Sequence, residues 1–188
     1  MEVPIYEITT DSQLHAVSLV EEPAIDEGFL AFEKSEQQFS VFSYQQIVSG
    51  PALIPDRKIL RYDKDRNPYY VYFTRESIHM IVKNFMMHRP KFNVGHNSDN
   101  LLDNSTILES WFCGENDKSQ SWGYNLPPGT WFISLYVADT QFFNDKILSG
   151  EISGFSVEGR FEQFLGYEGQ PARTDDKLKQ IAELLKNV

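Results

Sequence analysis

The feature that most limits the fold is a succession of short runs rich in aromatic and β-branched residues, each bounded by Gly, Pro, Asn or Asp. Such residues suit a pleated, half-buried surface and the bounding residues make turns, so the chain reads as mostly strand. Strands are predicted over residues 3–9, 15–20, 39–44, 69–73, 106–112, 130–138 and 152–164, with turns over 63–68, 97–104 and 126–129. Three stretches carry helical spacing instead. Ile78, Ile81, Val82 and Phe85 share a helical face after Thr74, a suitable N-cap, and Pro90 stops the run. Residues 140–149 form a short helix begun at Asp139 or Thr140, with Phe143 and Ile147 one turn apart and Gly150 as its stop. The third covers 175–187, where Leu178, Ile181, Leu185 and Val188 make an apolar stripe beside Lys177, Lys179 and Lys186. A few helices among many strands make the class α+β, β-rich.

With 188 residues, 41% of them hydrophobic, there is material for one core and not two. The expected division is a main domain over 1–165, followed over 166–188 by a Gly/Pro-punctuated hinge and the amphipathic helix, which either docks on the domain or binds another chain. A polar connector lies over 33–38, and there is no internal repeat or low-complexity tract. The net charge of -10, from 27 acidic and 17 basic side chains, repels phosphate and argues against a nucleic-acid partner. Cys113 is the one cysteine, which excludes an internal disulfide and a cysteine-rich zinc site. No basic stretch leads into an apolar run at the N-terminus and no run of about eighteen apolar residues occurs, so a soluble, cytoplasmic protein with no membrane partner is expected.

Residues able to do chemistry are few. In the run from Gly150 to Gly159, strand alternation puts Phe155, Val157 and Phe161 on an inward apolar face, and Ser156, Glu158 and Arg160 on the outward polar one. Gly154 beside Ser156 leaves room for another backbone to approach. A serine on a polar strand face is ordinarily just solvated; as a nucleophile it needs a base, usually histidine, within hydrogen-bond reach. Of the four histidines, His79 lies within the first helix and His88 ends it, favourably placed for the helix dipole. His15 opens a short strand. His96 follows the strand-like run 91–95 and precedes a polar loop, where functional groups concentrate, and imidazole as a class titrates near neutral pH. A solvated loop histidine is the competing reading.

Glu109 shares a predicted strand face with Ile107 and Trp111, and a carboxylate in an apolar row is costly unless paired. It either orients His96 as the third member of a triad or reaches water from an edge strand. Cys113 has no basic residue nearby in sequence and reads as a small buried hydrophobe. The acidic pairs Asp63/Asp65 and Asp99/Asp103 do not fall in a calcium-loop pattern, and no glycine array links a strand to a helix, so no metal and no cofactor is assigned.

Four stretches together resemble a known family: Val17 to Ile25 (VSLVEEPAI), Ile47 to Pro51 (IVSGP), His96 with Leu108 to Trp111 (LESW), and Gly129-Thr130-Trp131 with Gly154 to Gly159 (GFSVEG). In order and spacing they resemble the XkdF-like phage serine proteases, relatives of the phage prohead proteases and, more remotely, of the herpesvirus assemblins. The resemblance spans the chain to about Phe164. It implies a herpesvirus-protease-like closed β-barrel flanked by a few helices. It also implies a serine endopeptidase that processes scaffold and major capsid proteins inside the assembling procapsid, in the host cytoplasm. Ser156 matches the family nucleophile and His96 its base. The assemblin relatives imply a homodimer as one arrangement, while the residues themselves leave the oligomeric state open.

Two departures stand out. The segment resembling Ser18-Leu19-Val20 and Pro23-Ala24 follows the nucleophile strand in the commoner prohead proteases but opens the chain here, an order that looks circularly permuted. The acidic third residue of the commoner type falls on Ala16, with His15 beside it. Assemblins use a second histidine there, so Glu109 and His15 are both candidates for the third position. The rival to a protease is a non-catalytic capsid-associated binding or scaffolding domain of the same fold; a tail or baseplate β-domain would be favoured were Ser156 and His96 far apart.

Overall fold

The structure, a computed structural model, describes residues 3–21, 40–42 and 45–166. The helix expected over 175–187 with most of its hinge, the connector 33–38, parts of the strand expected over 39–44 and the stretch Glu22 to Ile25 lie outside the described residues. In chain order the strands are β1 (Ile5–Ile8), β2 (Gln13–Val20), β3 (Ser40–Phe42), β4 (Ile47–Leu53), β5 (Ile59–Tyr62) and β6 (Pro68–Phe73). After helix α1 (Arg75–Met87) come β7 (Phe92–Val94), β8 (Asn97–Leu101), β9 (Thr106–Phe112) and β10 (Trp131–Tyr136). A short helix α2 (Thr140–Phe142), continued by a π turn (Phe143–Ile147), leads to β11 (Gly154–Arg160) and β12 (Gln163–Gly166).

The strands form three four-stranded sheets, ordered β12-β1-β6-β5, β3-β4-β10-β9 and β11-β2-β7-β8. The protein is β-rich α+β, and among the described residues none of the three sheets closes on itself. One hydrophobic core joins them: Ile8, Val71 and Phe73 from the first sheet, Val48, Trp131, Ile133 and Leu135 from the second, Val17, Leu19, Phe92, Phe155 and Val157 from the third. Helix α1 adds Ile78, Ile81, Val82 and Phe85, all buried, and Phe85 meets Trp131 edge to face at 5.9 Å. Its start is fixed by Thr74, whose hydroxyl accepts from the Ser77 N–H at 3.1 Å. Asp139 caps α2 in the same way through the Phe142 N–H at 2.8 Å, and Gly150 follows with φ +79°.

Three differences from the sequence reading have local causes. The stretch 152–164 is two strands, β11 and β12, in different sheets. β4, which is not among the predicted strands, contains Gly50-Pro51; Ile47 to Ser49 pair with both β3 and β10, and Gly50-Pro51 with β10 alone. Opposite Pro51 the β10 register steps from Leu53 to Pro51, a bulge that accommodates a residue with no N–H to give. β8 (NSDNL) is a fully exposed edge strand whose one apolar residue, Leu101, comes last, so it lacks the apolar alternation by which a strand is recognised.

Candidate active site

The third sheet carries the site. β2 is paired to β11 on one side and to β7 on the other, with Val17 opposite Val157 and Phe92, and Ser18 opposite Ser156 and Asn93. Period-two alternation therefore splits these strands into an apolar face, which joins the core, and a polar row that runs Ser156, Ser18, Asn93 across the sheet. The sequence reading put Ser156 on a solvated face; that row is instead buried, with Ser156 5% exposed, Ser18 0% and Asn93 2%. A buried hydroxyl or amide is costly unless hydrogen-bonded, which makes the partners of this row informative.

Glu158 supplies those of Ser18 and Asn93. It stands opposite Ala16, on the same face as Ser156, and its Oε1 accepts from the Ser18 hydroxyl at 2.5 Å and from Asn93 Nδ2 at 2.8 Å. Ala16 is too small to obstruct a carboxylate that reaches along the row. Beyond Glu158 the pairing steps from Ala16 to Leu14, so His15 is the extra residue of a β-bulge and is exposed. Gly159 closes the bulge; a Cβ there would lie 2.2 Å from the Gln13 carbonyl oxygen, so only glycine fits.

His96 comes in from the far side. Val94 and Asn97 pair across a two-residue hairpin loop, Gly95 and His96, both with positive φ (61° and 59°), as the tight hairpins that match strand twist require. The loop is tied to the sheet by the Gly95 N–H donating to the Leu19 carbonyl at 2.9 Å. His96 Nδ1 thereby comes within 3.2 Å of the Ser18 hydroxyl and 3.2 Å of Glu158 Oε1. Burial works to raise the Glu158 pKa, but the hydrogen bonds from Ser18 and Asn93 and the nearby imidazole outweigh it and hold the carboxyl below its ordinary range. The Asn93 Oδ1 is buried with no hydrogen-bond partner.

The structure thus brings Ser156 and His96 to one sheet. Directly opposite residues on adjacent strands have Cβ atoms about 4.5–5.5 Å apart, and the residue opposite Ser156 is the one His96 touches. The Ser156 hydroxyl makes no hydrogen bond among the described residues, and Ser156 lies on the wall of a cleft shared with Pro51, Leu53, Arg57 and Arg61.

Glu109 is placed elsewhere. It lies on β9 in the second sheet, where Lys118 Nζ donates to Oε1 at 2.6 Å and the Ser134 hydroxyl to Oε2 at 2.8 Å. These bonds lower its pKa. The carboxylate that reaches His96 is Glu158, and its signal was present in the sequence as the polar residue two positions past Ser156. His15 projects from the bulge. His79 stacks on Phe112 at 3.7 Å, and His88 Nδ1 lies 2.7 Å from the Asn84 carbonyl. Burial pushes the Cys113 thiol up to about 12, so it stays protonated and unreactive at neutral pH.

Comparison with protein-family models, with curated proteins and with solved structures gives no match to this chain.

Proposed function

We propose that the chain is a serine endopeptidase that processes scaffold and capsid proteins during phage head maturation, with Ser156 as nucleophile and His96 as general base. The observation that carries this reading is the cross-strand pair: Ser156 stands opposite Ser18, and the Ser18 hydroxyl lies 3.2 Å from the His96 ring. A hydroxyl without a partner among the described residues, on the strand next to the serine that His96 touches and at the edge of a cleft, supports this reading, which requires the Ser156–His96 hydrogen bond to form when substrate binds. In the reaction His96 removes the Ser156 proton as the hydroxyl oxygen attacks the substrate carbonyl. The imidazolium then protonates the leaving amine, and water, deprotonated by His96, releases the acyl group. Backbone amides near Gly159 and Arg160 are the proposed oxyanion donors.

The same reading includes the closed barrel and the homodimer of the assemblin relatives, and action inside the procapsid. Three open sheets around one core, with β11 packed against β4 of the next sheet, are compatible with a barrel seam. Co-expression with scaffold protein tests the activity: Ser156→Ala should abolish cleavage in a protein that remains folded, and unchanged processing refutes the assignment. A non-catalytic capsid-associated domain is the second reading, favoured by the burial of Ser156 to 5% exposure. Labelling of Ser156 by a fluorophosphonate in assembling proheads decides for the enzyme; absence of labelling there decides for the binding domain.

A further inference from the structure

We propose that Glu158, held by Ser18 and Asn93, is the positioning residue of His96 and fixes its ring with the hydrogen on Nδ1, leaving Nε2 as the nitrogen that takes a proton. The catalytic consequence rests on the reading of His96 as base; the positioning itself does not.

Ser18 has one hydroxyl hydrogen, and the 2.5 Å bond to Glu158 Oε1 commits it. An ionised carboxylate has no hydrogen to give. Both neighbours of His96 Nδ1, the Ser18 oxygen and Glu158 Oε1, each at 3.2 Å, are therefore acceptors. Nδ1 must supply the hydrogen they share, and a neutral imidazole carries only one, so the lone pair is on Nε2. Asn93 reinforces the arrangement, since its Nδ2 donates to the same Oε1 at 2.8 Å. The opposite amide orientation would set Oδ1 against the carboxylate, which explains why Oδ1 rather than Nδ2 is the buried atom left without a partner.

The local sequence is built around this carboxylate. Ala16 leaves the space across the strand through which Glu158 reaches β7, and the Gly159 bulge sets the strand direction immediately after it. Ser18 is excluded as an alternative nucleophile by the same count: its hydrogen is committed and its side chain is wholly buried. The nucleophile and the orienting carboxylate then lie two residues apart on one strand, on the same face.

The test uses the full chain with ¹⁵N-labelled histidine, reading the two ring nitrogens of neutral His96 at alkaline pH. The expected wild-type spectrum has Nδ1 protonated and Nε2 unprotonated; the reverse overturns the proposal without any variant. In Glu158→Gln the side-chain amide can donate to Nδ1, so the Nε2-protonated form should gain population, and indifference of the ring signals overturns the proposal. Turnover of scaffold should fall about 10²- to 10⁴-fold in kcat, as expected when a base is held in the wrong tautomer, with KM little changed. If the ring signals respond to Glu158→Gln while Ser156→Ala leaves processing intact, the positioning stands and the peptidase reading fails. If Ser156→Ala abolishes processing while the ring signals ignore Glu158→Gln, the peptidase reading stands and the positioning fails.

Discussion

Two clusters in this protein use the same parts to different ends. In the second sheet the Ser49 hydroxyl donates to Ser134 at 2.8 Å, Ser134 donates to Glu109 at 2.8 Å, and Lys118 closes the line at 2.6 Å. In the third sheet Ser18 and Asn93 donate to Glu158, and the cation-forming partner is His96. A lysine ammonium only donates, so the first line ends in a closed ion pair; its Nζ also lies 4.0 Å from the Trp111 ring centroid, pinning the segment 118–122 to β9. An imidazole that gives one nitrogen to a carboxylate still has a second. On the proposed reading, what separates the two clusters is therefore not the serine or the carboxylate but whether the basic partner retains an unused nitrogen.

The largest expected effect that tests this contrast is on turnover. His96→Ala should lower kcat/KM on scaffold substrate by about 10⁴-fold or more, whereas Glu109→Gln should leave it close to wild type; comparable losses from both would erase the distinction. Next comes stability. Ser134→Ala strips Glu109 of a donor and leaves the buried Ser49 hydroxyl without its acceptor, a cost of about 1–3 kcal/mol in urea unfolding with the rate preserved. Ser18→Ala should cost a similar amount but lower the rate as well.

A smaller effect concerns pH. Glu158 and Glu109 both have folded pKa values below their ordinary range, so each contributes stability that is fully present above the unfolded value of about 4.3 and is lost as pH falls through the folded one. Glu158→Gln should flatten the acid limb of the stability profile more than Glu109→Gln, because its side chain is 28% exposed against 48%. Thermal unfolding across that range measures the difference. The smallest effect is that of Lys118→Met, an exposed pair expected to be worth less than about 1 kcal/mol and to fade with added salt.

Much of the fold is legible in the sequence because local chemistry decides it. Thr74 and Asp139 cap their helices through the side-chain bonds expected of them, and β9 spans the predicted 106–112. β4 and β8 were not legible, since sheet pairing overrode Gly50-Pro51 in one and the other has no apolar residue before Leu101. Within the site, Ser156 and His96 stood out as residue types that need each other. Glu109 stood out for the wrong reason: alternation shows that a carboxylate shares a face with Trp111, but it cannot show that Lys118, nine positions on, folds back to meet it. The contact of Glu158 with Ser18 and His96 depends on the pairing of β11 with β2, strands separated by over a hundred residues and linked only by tertiary structure.

The hairpin that carries His96 has a consequence for any effort to strengthen the protein. Left-handed backbone suits glycine and asparagine better than histidine, and His96 occupies it with φ 59°. Libraries screened for heat resistance alone should drift at this position toward Asn or Gly, while libraries screened for cleavage should hold histidine against that pull. The residue a turn would choose for itself and the one the proposed proton transfer demands are different, and the gap between the two selections measures what that transfer is worth.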